Sequence, residues 1–156
     1  MVRELHHVFQ VQLAWTASGN IVVTDSVNHR VLVVDARDGA LRTWGSAGSE
    51  AGQFLYPHGV VCSPNGLVYI VDQGNYRVQL FREDGTLIGQ WGRRGSLPGA
   101  FMCPTGIALS PVDGEVYVCD SGRVQVGSSG PLAAGAAEVA RAAAIARNSN
   151  ACCVCA

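Results

Sequence analysis

Val68-Tyr69-Ile70-Val71-Asp72-Gln73-Gly74-Asn75-Tyr76-Arg77-Val78-Gln79-Leu80-Phe81-Arg82-Glu83-Asp84-Gly85 is the stretch that decides the fold. Val68–Val71 is a β-branched and aromatic run, and Asp72–Asn75 is turn chemistry. Arg77–Phe81 alternates polar and apolar residues. Asp84-Gly85 is a hairpin signal, because both residues tolerate the positive φ of a type I′ turn. The order predicted is strand, polar turn, strand, tight turn.

The same order occurs upstream as Ile21-Val22-Val23-Thr24-Asp25 … Asn28-His29-Arg30-Val31-Leu32-Val33-Val34, and begins again at Val116-Tyr117-Val118-Cys119-Asp120. Asp25, Asp72 and Asp120 are separated by 47 and 48 residues. Trp44 and Trp91, Phe54 and Phe101, Pro57 and Pro104, and Gly59 and Gly106 are each 47 apart. A period of that length with four short strands per unit predicts propeller blades rather than a helical solenoid.

The expected fold is therefore all-β, a partial β-propeller of four-stranded antiparallel blades over 1–126. The blades are expected at about 8–44, 54–91 and 101–126. The first has strands near 8–15, 20–25, 30–35 and 40–44. The second has them near 58–62, 67–72, 77–82 and 86–91. The third has them near 105–109, 115–120 and 123–126, with its fourth strand absent. Gly-rich linkers run from Gly45 to Phe54 and from Gly92 to Phe101. Trp44, Phe54, Trp91 and Phe101 are the expected inter-blade core. Residues 127–156 change composition abruptly. They read as a linker, an alanine-rich helix over Leu132–Arg147 that buries little apolar area, and a Cys-containing tail.

Net charge is −1, so no global field attracts nucleic acid or anionic lipid, and all 11 basic residues are arginine. The first residues lack the apolar run of a signal peptide, and no stretch reaches the roughly 18 apolar residues of a membrane helix. Cys62, Cys103 and Cys119 fall in predicted strands, and no spaced disulfide framework is visible. The expected setting is thus reducing and cytoplasmic. Cys153-Val154-Cys155-Ala156 has the C-a-a-X form, but no polybasic segment precedes it, and it reads as chance.

The blades resemble the NHL-repeat family of β-propellers. The resemblance rests on Gly52-Gln53-Phe54, Pro57-His58-Gly59-Val60-Val61, Val68–Asp72, Asn75–Phe81 and Asp84-Gly85, on Gly19 to Gly45 with Asn28-His29-Arg30, and on Gly99-Ala100-Phe101 to Gly122. It covers roughly residues 12–126. Blade one has Gln10-Val11-Gln12 where the proline–glycine pair should stand.

The resemblance implies a protein-interaction module, related to the substrate-recognition propeller of tripartite-motif-type ubiquitin ligases. The expected contacts are the loops Ser26–His29, Gln73–Tyr76 and Arg93–Leu97, led by His29, Tyr76, Arg93 and Arg94. One alternative is single-stranded RNA binding through Arg37, Arg82, Arg93, Arg94 and Tyr76. Another is a remnant of a metal-dependent lyase-type propeller with His58 on the axial channel. The matching positions there are Val11 and Thr105, so no catalytic residue, metal ligand or cofactor is expected. The pairs Asp25/Arg30 and Asp72/Arg77, with Asp120, are read as structural: with the four strands of each blade lettered a to d in chain order, the aspartate caps the b–c turn and the arginine pairs with it or with turn carbonyls of the next blade. Two end blades with exposed edges make self-association a further expectation.

Overall fold

A computed structural model of the chain describes residues 12–97, 99–120, 123–127 and 145–146, which form three four-stranded antiparallel sheets. The first contains β1 (Leu13–Trp15), β2 (Asn20–Asp25), β3 (Arg30–Asp35) and β4 (Leu41–Trp44). The second contains β5 (Pro57–Cys62), β6 (Leu67–Asp72), β7 (Arg77–Arg82) and β8 (Leu87–Trp91). The third contains β9 (Pro104–Leu109), β10 (Val116–Asp120), β11 (Arg123–Gly127) and β12 (Ile145–Ala146). Spatial order follows chain order within every sheet, so each is a meander, as a propeller blade requires.

Period-two alternation distributes the core. In β6, Val68 and Ile70 pack toward the first sheet with Val22, Val31, Val33, Phe54 and Phe81. Their neighbours Tyr69 and Val71 pack the other way, with Phe101, Val116 and Val118 of the third. The middle sheet is covered on both faces, which is why its strands read as continuous apolar runs. Trp44, Phe54 and Phe81 form one aromatic cluster, with Trp44 and Phe81 ring centroids 4.5 Å apart. Phe54 and Phe101 are fully buried, each contributing about 2–3 kcal/mol of transfer free energy. Trp44 and Trp91 are half-buried at the edges of the two cores.

One expectation about the turns changes. Asp84-Gly85 is not a type I′ pair. Gly85 alone has positive φ (91°), with Gly85 N–H donating to Arg82 and Arg82 N–H to Thr86. That is a three-residue loop, a type I turn closed by a left-handed glycine. The corresponding loop of the first sheet, after Asp35, is one residue longer. The middle sheet recovers that residue as a bulge in β8, where pairing jumps from Leu80↔Gly89 to Phe81↔Leu87. Between Asp120 and Arg123 two residues are missing relative to the middle sheet, yet Asp120 stands opposite Arg123 as Asp72 stands opposite Arg77. An even deletion keeps the backbone register of the pair.

The tail also differs. Ile145–Ala146, inside the segment expected to be helical, pairs with Gln125 and Val126 as the fourth strand of the third sheet, so that sheet does have an outer strand. The edge of β11 offers unpaired backbone groups, and meeting them outweighs alanine's helix preference at these two positions. Residues 128–144 and 147–156 of the tail, and the expected strand residues 8–11, lie outside the described residues, while Gly127, expected in the linker, ends β11. Cys103 is exposed and precedes β9 rather than lying in a strand.

Candidate interaction surface

The b–c loops and the inter-sheet linkers lie at the same end of the sheets, because β2 and β6 end there and β5 and β9 begin there. A buried polar cluster organises this end in the middle sheet. Asp72 is fully buried. Its Oδ2 accepts from Arg77 Nε at 2.7 Å, Asn75 Nδ2 at 2.9 Å and Gln79 Nε2 at 3.1 Å. Its Oδ1 accepts the backbone N–H of Leu55 at 2.7 Å. Arg77 donates its other four protons to the carbonyls of Ser49, Glu50 and Gln53 and to Gln90 Oε1, each at 2.9 Å. All five guanidinium donors are satisfied.

This alters the expected geometry of the pair. Asp72 holds the arriving linker through Leu55 rather than capping its own turn. The carbonyls that Arg77 takes belong to the linker leading into its own sheet, not to the next one. Asp120 behaves likewise, its Oδ1 accepting the N–H groups of Met102 and Cys103 at 2.8 and 2.6 Å. In the first sheet Asp25 binds Arg30 Nε at 2.9 Å and the Asn28 amide, and takes the Asn28 backbone N–H at 3.3 Å. Arg30 is 43% exposed against 9% for Arg77.

Above this cluster sit the loop residues. His29 and Tyr76 end their b–c turns in the left-handed region, at φ 54° and 56°. Tyr56 shares that conformation (φ 52°), donates its N–H to His29 Nδ1 at 3.0 Å and meets the imidazole edge-on at 4.7 Å. His29 Nδ1 is the acceptor of this contact. On the neighbouring loop Arg94 stacks over Tyr76 at 5.4 Å. Arg93 and Arg94 are held by the linker itself: Phe101 N–H donates to the Arg93 carbonyl at 2.8 Å and Gly95 N–H to Phe101 at 3.0 Å. The earlier linker repeats these bonds at Ser46, Gly48 and Phe54.

Tyr76, Arg93 and Arg94 thus come together around an open recess of about 510 Å³, which Ser49, Gln90 and Trp91 also line. His29 is not among its lining residues and stands with Tyr56 instead. Spacing gave no sign of Ser49, Gln90 or Tyr56 at this end. Ser49 is brought there by the linker folding back onto Arg77, Gln90 by its register opposite Gln79, and Tyr56 by its contact with His29.

His58 is half-buried on β5. Its carbonyl accepts the Thr24 hydroxyl at 2.6 Å, while its Nδ1 is buried without a hydrogen-bond partner. Among the described residues no three His, Cys, Asp or Glu side chains converge on a metal-sized point. No helix among them is long and apolar enough to cross a membrane.

The NHL repeat model matches residues 54–81 and 101–127, the middle and third sheets. No curated protein matches the chain. Among solved structures, similar folds occur in virginiamycin B lyase from Staphylococcus aureus bound to quinupristin (16% identity, TM-score 0.61, 79% of this chain and 40% of that one). They occur also in hydrazine synthase of Kuenenia stuttgartiensis (20%, 0.58, 83% and 36%) and in a nidogen–laminin complex (20%, 0.58, 73% and 42%). At these identities the likeness is one of fold. The chain spans about two fifths of the length of these structures. Two of its segments thus match the NHL repeat, and its fold is of the β-propeller type.

Proposed function

We propose that the chain is a protein-interaction module whose partner contacts the end bearing the b–c loops and linkers. The observation that carries this reading is the recess framed by Tyr76, Trp91, Arg93 and Arg94 above a rigid, fully satisfied Asp72–Arg77 cluster. Rigid loops that hold aromatic and arginine side chains at the surface lose little entropy on binding, and these residue types dominate interface energetics. NHL-repeat propellers as a class support the same reading. Within a tripartite-motif-type ligase, this end is the surface we assign to substrate recognition.

RNA binding is the weaker reading. Arg37, on the loop after β3, and Arg82, the last residue of β7, lie at the opposite end from Arg93 and Arg94, and Arg42 is engaged with Glu83 at 3.8 Å, so among the described residues these arginines form no continuous track. The test is capture from nuclease-treated cell extract on immobilised chain. The wild-type chain is expected to retain a protein partner that Tyr76→Ala combined with Arg93→Ala and Arg94→Ala loses. Retention that nuclease abolishes would overturn the reading.

A further inference from the structure

We propose that the recess binds an acidic segment of a partner protein, with Arg93 and Arg94 taking its carboxylates and Trp91 and Tyr76 flanking the peptide. The proposal rests on the protein-interaction reading above and specifies its ligand chemistry. The recess is lined by no aspartate or glutamate. Arg77, at its floor, is neutralised by Asp72 and has no donor left. Arg93 and Arg94 are exposed, and among the described residues neither has a carboxylate within ion-pair distance.

This is a local excess of positive charge on a chain whose net charge is −1. A guanidinium presents paired N–H donors that match a carboxylate, and the second arginine adjoins it in sequence on a linker fixed by the Phe101 and Gly95 bonds. The exposed side of Gln90 and the Ser49 hydroxyl add neutral donors suited to peptide carbonyls. An acidic peptide fits better than a nucleic-acid strand. The Tyr76 ring already carries the Arg94 guanidinium, on a face that a base would otherwise stack against.

The test is fluorescence anisotropy on the full chain with three labelled probes: an octapeptide alternating Glu and Gly, the same peptide with Gln for Glu, and a single-stranded oligouridine. The Glu peptide is expected to bind and the Gln peptide to bind at least tenfold more weakly. Arg93→Gln or Arg94→Gln should each weaken the Glu peptide about tenfold, and Arg37→Gln, on a distant loop, should leave it unchanged. Circular dichroism of each variant checks that it is folded. Equal binding of the Glu and Gln peptides, or indifference to both arginine changes, would overturn the proposal, as would binding of oligouridine alone. Failure of the Glu peptide alongside continued nuclease-resistant capture of a protein would refute the acidic ligand while leaving the interaction reading standing.

Discussion

Arg77 Nε lies 2.7 Å from Asp72 Oδ2, and both side chains are withdrawn from solvent. The same pair in the first sheet, Arg30 with Asp25, is 2.9 Å apart, but its arginine is 43% exposed. One chemical motif therefore has two energetic weights. Removing Arg77 strands a buried carboxylate and three linker carbonyls, so Arg77→Ala should cost about 3–5 kcal/mol. Arg30→Ala removes an arginine already 43% in water, and the buried Asp25 keeps the Asn28 amide and backbone N–H, so it should cost less, about 1–2 kcal/mol. Urea denaturation of both variants against the wild type reads the difference directly. Equal losses would mean that the linker bonds to Arg77 contribute nothing.

Gly92 opens the second linker at φ 106°, and a Cβ there would fall 2.7 Å from the Phe101 ring and 2.8 Å from the Tyr76 carbonyl. Gly92→Ala combines an unfavourable backbone conformation with a clash against a buried aromatic. It should destabilise by roughly 2–4 kcal/mol. It should also weaken partner capture, since Arg93 and Arg94 hang from the same turn. A thermal melt that matches the wild type would contradict this.

Glu83 joins the second sheet to the first, accepting from Ser18 at 2.7 Å and from Asn20, with Arg42 at 3.8 Å. Burial alone would raise its carboxyl. The hydrogen bonds from Asn20, Ser18 and Thr16 and the Arg42 charge outweigh it and hold the group below its ordinary value. A depressed carboxyl stabilises the fold above its unfolded pKa, and that contribution is lost as pH falls through the folded one. Glu83→Gln should therefore destabilise at neutral pH, by about 1 kcal/mol or less because the site is partly solvated, and progressively less in acid, read from denaturation midpoints between neutral pH and pH about 3.

Cys62 is pushed up to about 12, chiefly by burial, with the Glu83 charge adding to it, whereas Cys103 is exposed. Thiolate is the reactive form, so iodoacetamide at mildly alkaline pH should label Cys103 well before Cys62 in the folded chain. Peptide mapping by mass spectrometry separates them. Comparable labelling rates would place Cys62 in a more open environment than the first inter-sheet core.

Much of the fold is legible from residue pattern. The 47-residue recurrence of Asp, Trp, Phe and Pro sets the sheets, and alternation in β6 and β7 sets which side chain enters which core. What is not legible is cooperative. Nothing local shows that Ser49 and Gln90, 41 residues apart, line one recess, because their meeting depends on the Gly45–Phe54 linker folding back onto Arg77. The difference between Arg30 and Arg77 is likewise invisible in two identical Asn-x-Arg motifs. At Ile145–Ala146 helix propensity pointed away from the observed strand, since pairing with β11 is a tertiary choice.

The central claim, that partners engage the b–c loop end, is tested most directly by site-specific photocrosslinking from within the folded chain. A benzophenone residue at position 76, between the recess and solvent, should give nuclease-resistant protein adducts. The same group at position 38, on the opposite loops, should give few or none. Adducts of equal yield at both positions, or adducts at position 76 that vanish with nuclease, would contradict the claim.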